Sequence, residues 1–200
     1  MTLRSLPLAI LDVETTGLGP GAQVIEVAVA HLELGDDTPR LVFAERVRPT
    51  VPIDEGATKA HGITAEDLVG CRSWPEVLPD VLAAVGSRVP VAYNAPFDFG
   101  FLPEVAWPWI DLFPVCKRLY RSGCTLTEVL TRHGIVLDAH GAAGDVVGLG
   151  LVTSEILRFA VPRDVRDLRA LHVWLQGVAL QEEASYAAWA ARSGRLTAPD

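Results

Sequence analysis

Three features predict an α/β domain, a mixed β-sheet with helices packed on it. The first 47 residues read as three strands in succession. Helices and strands alternate after them, and the second strand is apolar on both faces, as a strand covered from both sides must be. The chain has 200 residues, of which 50% are apolar and 21% charged, a globular composition with length for a sizeable core.

The elements follow in order. Residues 8–14 (AILDVE with a leading Leu) form a short apolar run ending in acids, and residues 22–32 a longer one. Gly35-Asp36-Asp37 is a turn before a third strand over 40–47, so the chain opens as a β-meander. A connection containing Pro49 and Pro52 follows. Ser73 is placed to cap a helix reaching about Val85, with a kink expected at Pro79. Residues 89–93 are short and β-rich, and 97–105 read as helical. Thr125 offers a cap for a helix whose Leu126, Val129, Leu130 and His133 share a face, and another helix spans about 142–159. Beyond Pro162 a stripe of Leu168, Leu171, Leu175 and Val178 precedes a separate short helix at 184–191. The expected division is therefore a catalytic core over 1–161 and a helical extension over 162–200, docked on the core through that stripe.

Composition excludes some functions. No apolar run approaches the roughly 18–20 residues of a membrane span. The N-terminal apolar stretch runs straight into Asp12 and Glu14 and reads as a buried strand, not a leader. Cys71, Cys116 and Cys124 have no metal-type spacing and read as reduced thiols of a cytoplasmic protein. A net charge of −8 opposes a non-specific grip on duplex nucleic acid. It leaves open an enzyme holding a few nucleotides at a strand end, because carboxylates loaded with divalent cations no longer repel phosphate.

Three short segments carry chemistry. Asp12 and Glu14 lie two apart on a strand, so their carboxylates leave one face together, where a hard divalent ion would neutralise them. A chance acidic pair at a strand end has the same local pattern. Thr15-Thr16-Gly17-Leu18-Gly19 then makes a tight turn able to meet a sugar or phosphate. Asn94-Ala95-Pro96-Phe97-Asp98 opens from the short strand and sets Asp98 at a helix start, where a simple cap would serve equally well. His140-Gly141-Ala142-Ala143-Gly144-Asp145 puts a histidine on a glycine-containing loop and an acid on the next helix. A structural histidine is the ordinary alternative. Together these groups supply what phosphodiester hydrolysis needs: acids for two metals about 3.5–4 Å apart and a neutral histidine to accept a proton.

Taken in order, the three motifs resemble those of the DEDDh (DnaQ-like) exonucleases, over roughly residues 6–160. Ala60-His61-Gly62-Ile63-Thr64 is also similar to the family's segment between its first two motifs. Within the family, Trp109-Ile110-Asp111 with Arg118-Leu119-Tyr120 resembles exonuclease X, and the proofreading epsilon subunit of a bacterial replicative polymerase is the other similar group. The resemblance implies a ribonuclease-H-like fold, two Mg²⁺ or Mn²⁺ ions and release of nucleoside 5′-monophosphates from 3′ ends. It makes Asp12, Glu14, Asp98 and Asp145 the metal ligands and His140 the general base. Thr15, Leu18, Phe97 and His61 become substrate contacts, His61 with a structural brace as its competing role. The implied partner is single-stranded or 3′-terminal DNA, with a polymerase as a further partner and no membrane. One departure is Gly141, where the family commonly carries a bulky or basic residue.

Two other functions compete. RNA trimming uses the same motifs, which carry little information about a 2′-hydroxyl. A catalytically silent replisome-binding module would be marked by loss of one of the five active-site residues, and all five are present.

Overall fold

The computed structural model describes residues 6–106, 108–136 and 141–192. Its centre is a five-stranded sheet in the order β3-β2-β1-β4-β5. β1 (Pro7–Thr15), β2 (Val24–Glu33) and β3 (Arg40–Arg46) form the expected antiparallel meander. β4 (Val89–Ala92) and β5 (Ile110–Asp111) add parallel to β1. β1 and β2 are paired along both sides and covered on both faces, which is why their apolar residues do not alternate with polar ones.

The two faces hold separate cores. Leu8 and Ile10 of β1, with Ala28 and Ala30 of β2, meet α4 (Phe113–Tyr120), α5 (Leu126–Arg132) and α6 (Ala142–Ala160). Ala9, Leu11 and Val13, with Val27 and Val29, meet α2 (Trp74–Val85) and α3 (Ala95–Phe101). Alternation along the strand thus sends Asp12 and Glu14 toward the α6 face and Val13 toward α3.

The capped helices begin where their sequences indicate. Ser73 and Glu76 form a reciprocal capping box at α2, as Thr125 and Glu128 do at α5. α2 continues through Pro79. Other boundaries differ from expectation, each for a physical reason. α3 stops at Phe101 because Pro103 disfavours a helical Leu102. A short helix α1 (Glu55–His61) occupies part of the Pro-rich connection, its start tied to the sheet by the Asp54 N–H donating to the Thr16 carbonyl at 2.8 Å. Gly62 ends it at φ 74°. β5 is too short to show a period, and α4 starts at Pro114's turn with no polar cap to announce it. The stripe and short helix expected near the C-terminus are one helix, α7 (Leu168–Arg192), which packs on α4 and sends Leu171 and Leu175 into the α6-side core. Among the described residues, no helix is long and apolar enough to cross a membrane.

Candidate active site

β1, β4 and β5 run parallel, so their C-terminal ends meet at one edge of the sheet, where catalytic groups collect in open α/β sheets. Asp12 and Glu14 stand at that edge on β1. A register shift between Glu14 and Thr15, where the ladder steps from Glu26 to Val24 and skips Ile25, marks a β-bulge beside the two acids. The N-terminus of α6 arrives at the same edge and brings Asp145. One carboxylate oxygen from each of Asp12, Glu14 and Asp145 lies within 4.8 Å of the others, close enough to share an ion.

Asp98 reaches the edge from the opposite face. It is 3% exposed, and its Oδ1 accepts a hydrogen bond from the Val13 N–H at 3.2 Å, which fastens α3 to β1 between the two strand acids. It is not one of the three converging acids, yet its charge acts strongly on Asp12.

The electrostatics are those of a site built for a cation. Burial raises the Asp12 carboxyl well above the usual range, and Asp98, Asp145, Glu14 and Glu26 push it further. Glu14 is raised to about 7 by burial and then by Asp145 and Glu26. Burial also raises Asp98, opposed by the Val13 N–H. Among the described residues, the charges acting on Asp12 are all other carboxylates, and such an arrangement is stable in ionised form only with positive charge among the oxygens. The converging donors are all oxygen, suiting a hard divalent cation.

Beside the acids is a cavity of about 460 Å³ lined by Glu14, Thr15, Leu18, Asp54, His61 and Phe97. Its volume is in the range of small-ligand sites. Leu18 is 88% exposed at its rim, and Phe97 is half-buried with its ring 5.2 Å from that of Phe101. Thr15 is buried and its hydroxyl donates to the Gly17 carbonyl at 2.8 Å, so it braces the turn. His61 is 7% exposed. Its Nδ1 accepts the Ile63 N–H at 3.0 Å, so the neutral ring carries its proton on Nε2, which makes no hydrogen bond. Burial lowers the His61 pKa, with the nearby Thr15 main chain and Glu26 opposing. His140 lies outside the described residues.

Two acids of this edge were not among the sequence candidates. Asp111, at the end of β5, accepts the Phe113 N–H at 3.1 Å and is raised to about 6, chiefly by burial. Glu26, opposite Glu14 on β2, accepts the Ala142 N–H at 2.8 Å. A lone acid inside the apolar run Val24-Ile25-Glu26-Val27-Ala28 was the available signal for Glu26.

The arrangement defines an acidic, metal-compatible hydrolase site on an α/β fold. The family model described as exonuclease, RNase_T, matches residues 9–147, and the chain belongs to that family, the DnaQ-like DEDDh exonucleases. The PolC-type DNA polymerase III of Clostridium perfringens is 30% identical over 179 residues, covering 82% of this chain and 12% of that protein. That of Streptococcus pneumoniae serotype 2 is 30% identical over 189 residues, 86% of this chain and 13% of that protein. The chain thus spans about an eighth of the length of these relatives. Among solved structures, exonuclease X in complex with 5′ overhanging duplex DNA superposes with a TM-score of 0.63 and 26% identity, covering 76% of this chain and 92% of that one. The nuclease domain of 3′hExo, a DEDDh family member bound to rAMP, gives 0.59 at 19% identity, with 78% and 93% covered, and shares the fold.

Proposed function

We propose that this protein is a divalent-metal-dependent exonuclease that removes nucleotides one at a time from DNA 3′ ends. The observation that carries this reading is the convergence of Asp12, Glu14 and Asp145 beside a nucleotide-sized cavity. Asp12, Glu14, Asp98 and Asp145 would hold two ions, Mg²⁺ or Mn²⁺, which when bound offset the charge of the scissile phosphate. Leu18 and Phe97 would clasp the terminal base, and the Thr15-braced turn would fix the sugar. His61 would line the cavity behind that turn. In hydrolysis the water oxygen bonds to phosphorus as His140 accepts the water's proton, and the bond to the leaving 3′-oxygen breaks, that oxygen taking a proton from solvent to become the new 3′-hydroxyl. His140 has this role on its motif alone.

DNA is favoured because the relatives at 30% identity are polymerases named for DNA, and the solved relative at 26% holds duplex DNA. The same relatives support a polymerase as partner. In this reading residues 1–161 carry the chemistry, and the extension over 162–200 supports it.

The test is purified protein with end-labelled single-stranded DNA, mismatched duplex and RNA, each with Mg²⁺, Mn²⁺ or chelator. Mononucleotides should appear from the first time points on DNA, only from a free 3′ end, and not in chelator. Asp12→Asn should abolish release while the protein remains folded. His140→Ala should lower turnover by about 10²–10⁴-fold, without loss of Mn²⁺ binding. Cleavage of 3′-blocked substrate at internal positions would overturn the exonuclease polarity, and faster release from RNA would overturn the substrate.

A further inference from the structure

We infer that Glu26 is a positioning residue that fixes the first turn of α6, and through it Asp145, against the acids of β1. The inference rests on the function proposed above. Glu26 lies directly across from Glu14 in the β1–β2 ladder, on the same face, an arrangement that like charges disfavour. A chain gains nothing from a second acid there unless its oxygens have work elsewhere. They do. The side chain is 14% exposed, Oε2 accepts the Ala142 N–H at 2.8 Å, and Oε1 accepts from Arg46 Nε at 3.3 Å.

The Ala142 amide is one of the donors that a helix N-terminus leaves without an internal partner. Ordinarily the residue before the helix supplies the capping oxygen from its own side chain. Here that residue is Gly141, which has none. The capping carboxylate is supplied instead from β2, 116 residues earlier in the chain. Its negative charge at the positive end of a 19-residue helix strengthens the bond. One turn on, the Asp145 N–H donates to the Gly141 carbonyl at 3.0 Å, so the anchored turn is the one that carries Asp145. Gly141 also leaves room for the anchor, because a Cβ there would lie 3.1 Å from Glu26 Oε2. Arg46, which also meets Asp67 at 3.5 Å, keeps the carboxylate oriented toward α6.

Glu26→Ala and Glu26→Gln separate this role from others, because glutamine keeps a carbonyl oxygen for the Ala142 N–H and loses the charge. Turnover of 3′-terminal DNA by the alanine variant should fall by about 10–100-fold with KM changed much less, the size expected when an outer support of a ligand is lost. Glutamine should restore most of that loss. Amide exchange at Ala142 should speed up in the alanine variant and remain slow in the glutamine variant, and Mn²⁺ affinity should follow the same order. Equal loss of turnover in both variants would make Glu26 a direct ligand or a source of charge and would overturn the inference. Unchanged exchange and turnover in Glu26→Ala would overturn it too. If the wild-type protein releases no nucleotide, the exonuclease reading fails, and amide exchange with Mn²⁺ affinity still decides the role of Glu26.

Discussion

Glu14 carries part of the energetic tension of the site. Its carboxyl is raised to about 7, so the folded protein without metal holds a proton there that the unfolded chain releases near the ordinary 4.5. That contribution is favourable below about pH 4.5 and is lost as pH rises through about 7. Glu14→Gln should therefore stabilise the metal-free protein progressively across this window, by up to about 3 kcal/mol at its upper end. Saturating Mn²⁺ should reverse the order, since wild type then gains a ligand bond. Thermal melts in chelator and in Mn²⁺ across pH check this, and a constant difference between the two proteins would show that Glu14 does not carry the tension. Gly17 presents a steric counterpart: a Cβ there would fall on the Asp54 carboxylate, so the turn after the two acids admits only glycine while Asp54 stays in place. The motif showed a glycine in this turn but could not show that residue 54 is what crowds it.

At the scale of an element, α6 shows why a helix accepts glycines. Gly148 and Gly150 each weaken an isolated helix by about 1 kcal/mol relative to alanine, yet both are buried. A Cβ on Gly150 would lie 2.5 Å from Pro39 Cβ and 2.9 Å from Cγ, with Ile10 behind. Gly150→Ala should lose more to this overlap than it gains in propensity, a net destabilisation of about 1–2 kcal/mol. Gly177 in α7 has open space where its Cβ would be. Gly177→Ala should accordingly stabilise by up to about 1 kcal/mol. Denaturant unfolding of the two variants is the measurement, and the same sign for both would refute the packing argument. The capping boxes at Ser73 and Thr125 were legible because cap and partner are three residues apart. The cap of α6 was not legible, because its acceptor sits on β2.

For the whole molecule, the position of α7 matters most. Leu171 is 1% exposed and belongs to the cluster formed by Leu8, Ile10, Leu149 and Ile156. The C-terminal helix therefore shares a core with the strand that bears the acids. Leu171→Ala should cost about 2–5 kcal/mol, lowering a single cooperative melting transition. Calorimetry decides: two separated transitions, one unaffected by the substitution, would mean that α7 unfolds independently. The mutation should leave turnover unchanged well below the transition, because Leu171 touches none of the converging acids.

The sequence by itself determined the strand meander, the capped helices and the order of the three acidic motifs, because each of these is encoded by neighbours within a few residues: alternation along a strand, reciprocal caps, and paired acids on one face. It also identified the family, through the order of those motifs. Tertiary structure alone decided that α1 forms, since its start depends on the Thr16 carbonyl, and that α7 is one helix bound to the core. It alone placed Asp98 on the Val13 amide and Glu26 on the Ala142 amide, contacts that span 85 and 116 residues. Such pairs carry no local period or propensity. They exist because the ends of the parallel strands, the start of the antiparallel β2 and the first turn of α6 meet at one edge of the sheet, and only the folded topology brings that edge together.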